Sequence, residues 1–161
     1  MKSIFNILNT KILYNGFFKL HEIIVEHKKH DGSWSVPIKR ELFSGAHVAT
    51  ILPYDPLAKK IILLDQFRPG ILKKNHNPII KEIVAGIIDK GESPEEAAIR
   101  ECKEEIDCNI HQLTKICAYY PSPSSSESYY HLFLGEVTSF EGIRIKGQKN
   151  EDEDILARCY S

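Results

Sequence analysis

The segment Gly86–Cys108, GIIDKGESPEEAAIRECKEEIDC, carries an acidic cluster at fixed spacing within one predicted helix. Ser93 offers a hydroxyl N-cap, Pro94 suits the first helical position, and Glu96 follows the cap by three residues, as in a capping box. The helix is therefore predicted to begin at Pro94.

Acidic and apolar residues divide this helix into two faces. Apolar residues recur at three- and four-residue steps, namely Ala98, Ile99, Cys102 and Ile106. Glu101, Glu104 and Glu105 fall together on the adjoining face, where like charges repel by roughly 0.2–0.5 kcal/mol per pair. A divalent cation such as Mg²⁺ would relieve this repulsion, and Glu101 and Glu105 are suited to hold it. The alternative remains open that this acidic face is only a solvated one.

Three further residues set the geometry of the segment. Arg100 can pair with Glu104 one turn later or reach back to Glu92, and either contact would orient the acidic side chains. Gly86 suits a tight passage from strand to loop. Asp107 falls where a helix commonly ends in the left-handed conformation, which Asp tolerates better than most residues.

Composition indicates an ordinary globular protein. The chain has 161 residues, with 42% hydrophobic and 27% charged residues, which predicts a single soluble domain. A net charge of −1 gives no basic footprint for nucleic acid, and no apolar run is long enough to span a bilayer. The start, MKSIFNILNTK, lacks the pattern of a signal peptide. The charge therefore indicates a small-molecule partner, and four cysteines without paired spacing indicate reduced thiols in a cytoplasmic protein.

Strand patterns surround the helix. Residues Phe17–Phe43 alternate around the turn sequence His30-Asp31-Gly32, which predicts a hairpin. Further strands are predicted from β-branched-rich runs, namely HVATILPYD, KIILLDQF, IIKEIVAG, CAYY and YYHLFLGEV. Tyr119–Glu127 is a loop by composition, and the acidic run Asn150–Asp154 is either a solvated turn or a carboxylate loop at a metal site. This order of elements indicates an α+β fold.

The acidic segment resembles the Nudix box, G-x5-E-x7-R-E-U-x-E-E-x-G-U, where U is apolar. The matching residues are Gly86, Glu92, Arg100, Glu101, Cys102, Glu104 and Glu105, whereas Asp107 replaces the late glycine. Similarity to the bacterial ADP-ribose pyrophosphatases of this superfamily extends over nearly the whole chain. It includes NGFFKLHE, KRELFSGAHVATILPYDP, LLDQFRPG and SPSSSESYY.

The resemblance implies a Nudix α/β/α sandwich with a mixed sheet and an N-terminal antiparallel hairpin subdomain. Residues 1–44 would form the N-terminal hairpin and dimerisation segment, and residues 45–161 the hydrolase domain. It also implies a homodimer that exchanges N-terminal strands. In the family, a helix that packs on the sheet follows the strand after NEDED, and we expect that helix to be missing here.

The resemblance further implies Mg²⁺-dependent hydrolysis of ADP-ribose to AMP and ribose 5-phosphate, with Mn²⁺ as an alternative metal. The implied metal ligands are Ala85, through its carbonyl, and Glu101, Glu104, Glu105 and Glu153. The implied catalytic residues are Glu151 as the base that activates water, with Glu101, Glu105 and Arg100. The implied substrate contacts are Arg40, Arg68, Glu127, Phe17 and Phe18.

Two alternatives to ADP-ribose hydrolysis stay open. The chain could hydrolyse another nucleoside diphosphate sugar, such as GDP-mannose, because the diphosphate contacts would be shared and only the base and sugar contacts would differ. It could also be a catalytically weak module that binds ADP-ribose without turnover.

Overall fold

The computed structural model describes residues 3–72, 76–147 and 153–161. Contacts divide the chain into two compact units. The first runs to Ala46 and includes Tyr120–Tyr129, and the second consists of His47–Tyr119 and Tyr130–Ser161. The Gly86–Cys108 segment therefore lies wholly within the second unit.

The first unit is a three-stranded antiparallel sheet. Its strands, in the order β1-β2-β3, are β1 (Phe5–Asn15), β2 (Lys19–His27) and β3 (Ile38–Phe43). The pairing of β2 with β3 confirms the predicted hairpin. Strand β1 was not predicted, because FNILNTKILYN does not alternate strictly between apolar and polar residues, and all eleven of its residues are exposed.

The serine-rich segment, residues 120–127, is a loop, as predicted, and it is hydrogen-bonded to β3. The backbone N–H of Glu127 donates to the carbonyl of Phe43 at 3.0 Å, and the N–H of Phe43 donates to the carbonyl of Ser125 at 2.8 Å. Within the loop, the hydroxyls of Ser122 and Ser125 are hydrogen-bonded at 2.9 Å. These bonds fix the Glu127 backbone beside the end of β3.

The second unit contains a mixed sheet with the order β10-β11-β5-β4-β9-β8. The strands are β4 (His47–Asp55), β5 (Lys60–Phe67), β6 (Ile79–Glu82), β7 (Val84–Ile87), β8 (Gln112–Tyr119), β9 (Tyr129–Glu136), β10 (Ile143–Lys146) and β11 (Ile155–Tyr160). The hydroxyl of Thr50 donates to the carbonyl of His131, and the N–H of Val137 donates to the carbonyl of Tyr54. The residue numbers rise together along the two strands, from Thr50 to Tyr54 and from His131 to Val137, so β4 and β9 are parallel. Strands β4 and β5 are antiparallel.

Strands β4 and β5 pair only near the turn that joins them and then separate. Beyond that point β6 pairs with β5, and β7 pairs with β4. The predicted strand IIKEIVAG is therefore two short strands, because the chain changes partner at Ile83. This arrangement carries Ala85 and Gly86 on β7, next to β4.

The single α-helix of the described residues, α1 (Pro94–Ile106), begins where predicted. The Ser93 hydroxyl accepts from the N–H of Glu96, and the Glu96 carboxylate accepts from the N–H of Ser93, which completes the capping box. Asp107 ends the helix in the left-handed conformation with φ 53°. Both helix boundaries thus follow from local chemistry.

The buried face of α1 differs from the prediction at one position. Ala98, Cys102 and Ile106 are fully buried, as expected, but Ile99 is 49% exposed. Ala97 is buried instead. The buried residues of α1 are the pairs 97/98, 101/102 and 105/106, which recur every four residues and so lie on one side of the helix. The buried face therefore includes Glu101 and Glu105.

These elements confirm the α+β fold. Helix α1 packs on β4 and β7, and the core beneath it includes Ile51, Leu64, Val84 and Phe133. No helix in the described parts of the chain is long and apolar enough to cross a membrane.

Candidate active site

Two carboxylates of α1 lie on its buried side. Glu101 is 9% exposed and Glu105 is 5% exposed, and the Glu105 Oε2 atom accepts a hydrogen bond from the N–H of Ala85 at 3.3 Å. Burial, together with the negative charge of Glu101, raises the pKa of Glu105 to about 8. Burial also raises the pKa of Glu101, although Arg100 acts in the opposite direction. A cation bound between these groups would favour the charged form of both carboxyls.

Arg100 joins three acidic residues through charge-assisted hydrogen bonds. Its Nε donates to Glu92 Oε1 at 2.9 Å and its Nη2 donates to Glu92 Oε2 at 3.0 Å. Its Nη1 donates to Glu101 Oε1 at 2.6 Å and to Glu104 Oε2 at 3.0 Å, and its Nη2 also donates to the carbonyl of Ile87 at 3.0 Å. Both pairings expected for Arg100 are therefore present at once. The hydrogen bond with Arg100 lowers the pKa of Glu92.

Gly86 makes room for Glu101. A Cβ atom at position 86 would lie 1.7 Å from the Glu101 Oε1 atom. Gly86 is inside β7 rather than at a strand-to-loop passage, so the reason expected for this glycine was wrong. The absence of a side chain lets a carboxylate of α1 lie against the strand.

Arg68 follows β5 and forms an ion pair with a partner, Glu82, that the sequence did not identify. Its Nε donates to Glu82 Oε2 at 2.8 Å. Burial raises the pKa of Glu105, and the positive charge of Arg68 opposes that rise, so Arg68 belongs to the same electrostatic environment. The antiparallel pairing of β5 with β6 brings Glu82 near Arg68, and only that pairing could have identified it.

Glu153 also acts on the carboxylates of α1. Burial is the largest cause of the raised pKa of Glu101 and of Glu105, and the negative charge of Glu153 adds to both. Glu151, the expected base, lies outside the described residues. Within residues 3–72, 76–147 and 153–161, no three His, Cys, Asp or Glu side chains converge as a metal site.

The remaining expected substrate contacts lie in the first unit. Arg40 is on β3, where its Nη1 donates to the carbonyl of Lys39 at 2.8 Å, and Glu127 is in the serine-rich loop. Phe17 and Phe18 are 90% and 62% exposed, and their rings meet edge to face with centroids 4.8 Å apart. Arg68 and the acidic cluster of α1 belong to the second unit.

A family model described as "NUDIX domain" matches residues 46–159 of the chain. The chain belongs to the Nudix family. Its acidic helix, with Gly86 against Glu101 and with Arg100 binding Glu92, Glu101 and Glu104, is the part that carries the Nudix box.

Individual relatives cover most of the Nudix chain. An ADP-ribose pyrophosphatase of Haemophilus influenzae is 36% identical over 92% of this chain and 70% of its own length. An ADP-ribose pyrophosphatase of Escherichia coli K12 is 32% identical over 96% of this chain and 74% of its own. A GDP-mannose pyrophosphatase of Escherichia coli SMS-3-5 is 31% identical over 92% and 77%.

Solved structures support the same fold. A crystal structure described as an ADP compounds hydrolase superposes with a TM-score of 0.70 at 22% identity. The match covers 99% of this chain and 80% of that one.

Proposed function

We propose that this Nudix hydrolase cleaves the diphosphate bond of ADP-ribose to give AMP and ribose 5-phosphate, using Mg²⁺, with Mn²⁺ as an alternative. The observation that carries the proposal is the buried pair Glu101 and Glu105. Arg100 donates a hydrogen bond to Glu101, and the backbone N–H of Ala85 donates one to Glu105. The similarity to two ADP-ribose pyrophosphatases over more than nine-tenths of the chain supports this choice of substrate.

The donor set of the acidic helix fits a hard divalent ion. Carboxylate and carbonyl oxygens are the ligands that Mg²⁺ prefers, and we assign Glu101, Glu105 and the Ala85 carbonyl to it. Glu104 and Glu153 would serve a further ion. When bound, such an ion neutralises the charge of the diphosphate and polarises its phosphorus–oxygen bonds. Arg100 would hold Glu101 in position through the 2.6 Å hydrogen bond.

The chemical step needs a base for the attacking water. We assign this role to Glu151, which would accept a proton while the water oxygen bonds to one phosphorus and the bridging phosphorus–oxygen bond breaks. The leaving oxygen then belongs to one of the two phosphate products.

Five residues are proposed to contact the substrate. Glu82 engages the Nε of Arg68, and the terminal nitrogens of Arg68 carry four further N–H donors suited to phosphate oxygens. Arg40 and Glu127 would bind other polar groups of the substrate. Phe17 and Phe18 present exposed rings on which the adenine can stack.

GDP-mannose is the second candidate substrate, because a GDP-mannose pyrophosphatase is similar to this chain over 92% of its length. Purified protein should be incubated with ADP-ribose or GDP-mannose, with Mg²⁺ or with EDTA, while release of AMP or GMP is followed. We expect Mg²⁺-dependent release of AMP and a lower kcat/KM for GDP-mannose. Preference for GDP-mannose would favour the second candidate, and binding of ADP-ribose without turnover would indicate a binding module.

A cytoplasmic location is proposed on the state of the thiols. All four cysteines are free, and reduced cysteines are usual in the cytoplasm. A small nucleotide sugar is the proposed partner, and neither nucleic acid nor membrane is proposed as one.

We also propose that the protein is a homodimer associating through β1. This strand is at the edge of the three-stranded sheet, and its exposed side chains include Ile7 (59%), Leu8 (49%) and Ile12 (55%). A long apolar edge strand with unpaired backbone groups is suited to pair with another chain.

The dimer proposal predicts that the double substitution Leu8→Lys and Ile12→Lys yields a monomer. Charged side chains on β1 would have to be desolvated on association, which disfavours pairing. Analytical ultracentrifugation of the wild type and the variant measures this. Leu57→Lys is the control, since Leu57 is 95% exposed in the second unit and should leave the dimer intact. A monomeric wild type would refute the proposal.

A further inference from the structure

The C-terminal end of α1 is held by Arg144 on β10. The Nη1 atom of Arg144 donates to the carbonyl of Ile106 at 2.7 Å and to the carbonyl of Asp107 at 3.0 Å. Its guanidinium carbon lies 4.0 Å from the ring centroid of the buried Phe140, which fixes the plane of the group. The last carbonyls of a helix lack partners within the helix, so Arg144 supplies donors and a complementary charge there.

Asp107 adds a second connection between the same two elements. Its side chain pairs with Lys146 of β10 at 3.5 Å and with Lys103 of α1 at 2.6 Å. The family has glycine at this position, whose hydrogen side chain could form neither ion pair. The residue that departs from the Nudix box thus links the helix end to β10.

Helix α1 carries one acidic group of the candidate active site, and the residue that follows β10 lies beside another. Glu105 immediately precedes Ile106 on α1. Strand β10 is followed by Gly147, where an added Cβ would lie 2.3 Å from the carbonyl oxygen of Glu153. Gly147 and Glu153 are therefore in close contact, and the charge of Glu153 acts on Glu105. Through Arg144 and the adjoining Gly147, β10 therefore connects the end of α1 with the backbone of Glu153.

We propose that Arg144 is a positioning residue that holds the carboxylates of α1 in register with Glu153 for metal binding. The proposal rests on the proposed function, because it assigns those carboxylates to the metal. Arg144 touches neither carboxylate and acts through the helix end. The planar guanidinium donates hydrogen bonds to two carbonyls while it lies over the ring of Phe140. A lysine ammonium has the same charge, but it is not planar and cannot stack on the ring.

The test compares Arg144→Gln, Arg144→Lys and the wild type. Binding of Mn²⁺ to the substrate-free protein is measured by titration calorimetry, and kcat and KM for ADP-ribose are measured at saturating Mg²⁺. We expect Arg144→Gln to weaken Mn²⁺ binding about tenfold and to lower kcat about tenfold, the smaller end of the effect of residues that orient metal ligands. KM should change less than about threefold, because Arg144 does not contact substrate. Arg144→Lys should restore part of both losses.

Arg158→Gln is the matched control. Arg158 lies on β11, where its Nε pairs with Asp65 at 3.9 Å. This substitution removes the same charge from the neighbouring strand, and Mn²⁺ affinity and kcat should stay at wild-type values.

Lys146→Gln provides a milder variant if Arg144→Gln does not fold. It removes only the 3.5 Å contact with Asp107, and we expect Mn²⁺ binding to weaken about threefold. Wild-type Mn²⁺ affinity and kcat in a folded Arg144→Gln protein would overturn the proposal, even if its Tm fell. So would wild-type Mn²⁺ affinity in both Lys146→Gln and Arg144→Lys. A wild-type protein that binds Mn²⁺ but leaves ADP-ribose intact would refute the proposed function alone, because the metal titration still tests Arg144.

Discussion

Replacing Glu105 with glutamine is expected to lower kcat for ADP-ribose about a thousandfold at saturating Mg²⁺. The substitution keeps the size of the side chain and removes the negative charge assigned to the metal, and loss of one such electrostatic contact costs about 10²–10³ in kcat. The measurement is release of AMP by the variant and the wild type under identical conditions. Glu95→Gln is the control, because Glu95 is an exposed residue in the first turn of the same helix. Wild-type turnover by Glu105→Gln would exclude Glu105 as a ligand.

The same substitution should change how stability depends on pH. Burial raises the pKa of Glu105 from 4.5 to about 8, so the folded protein binds more protons than the unfolded chain between these pH values. The free energy of unfolding contributed by this group is therefore greatest below pH 4.5 and falls as the pH rises toward 8. Each pKa unit corresponds to about 1.4 kcal/mol, so the loss amounts to a few kcal/mol.

Thermal unfolding with EDTA tests this pH dependence. At about pH 8, Glu105→Gln should have a higher Tm than the wild type, because the neutral amide avoids burying a charge. At about pH 5 the two Tm values should converge, because the wild-type carboxyl is then protonated. Equal Tm values at both pH values would contradict a raised pKa for Glu105.

The boundaries of α1 could be predicted because they depend on local chemistry. Ser93, Pro94 and Glu96 define the start within four consecutive residues, and Asp107 ends the helix with the backbone conformation that its side chain tolerates. The pairing of Arg100 with Glu104 followed from helix spacing in the same way. Each of these features involves residues close together in sequence.

Other features depend on contacts between distant segments. Gly86 was assigned to a tight passage, and only the packing of Glu101 against β7 shows why a side chain is excluded there. The ion pair of Arg68 with Glu82 depends on the pairing of β5 with β6. Ile99 fits an apolar helical pattern, but the direction of the sheet favours Ala97 instead. Sequence periodicity predicts that a helix has an apolar side, but it does not determine which residues of that side the sheet buries.

Strand β1 illustrates a different limit. Its eleven residues are all exposed, so no buried face imposes the alternation from which strands are recognised. Its apolar side chains can be explained by association with another chain, and a single sequence contains no direct record of such a partner.

Replacing Arg100 with glutamine is expected to reduce the free energy of unfolding of the metal-free protein by about 2–4 kcal/mol. Arg100 bonds Glu92, Glu101 and Glu104, and its own side chain is 29% exposed. Removing one partner of a buried ion pair leaves charges without compensation, which typically costs about 3–5 kcal/mol, and partial exposure lowers that figure. Urea unfolding in EDTA measures the change.

Mg²⁺ should stabilise Arg100→Gln more than it stabilises the wild type. Without the guanidinium, the carboxylates of Glu101 and Glu104 lose the positive charge that balances them, and a divalent cation can supply it instead. The difference in urea midpoint between Mg²⁺ and EDTA should therefore be larger for the variant. Its kcat for ADP-ribose should still be at least tenfold below wild type, because charge neutralisation by the ion does not restore the 2.6 Å bond that orients Glu101.

Lys103→Gln distinguishes this role of Arg100 from a general loss of positive charge on α1. The side chain of Lys103 is 54% exposed and its ammonium pairs with Asp107, so its removal should cost less than about 1 kcal/mol. Two results would contradict this prediction: Arg100→Gln being no less stable than Lys103→Gln, or Mg²⁺ stabilising it no more than the wild type. Either would mean that the hydrogen bonds of Arg100 contribute little to the free energy of unfolding. The metal would then have to be held without its help. A less stable Arg100→Gln that Mg²⁺ stabilises more than the wild type would show that the Arg100 guanidinium has two roles. It stabilises the metal-free carboxylates, and it keeps the metal ligands oriented, which links folding of this helix to its chemistry.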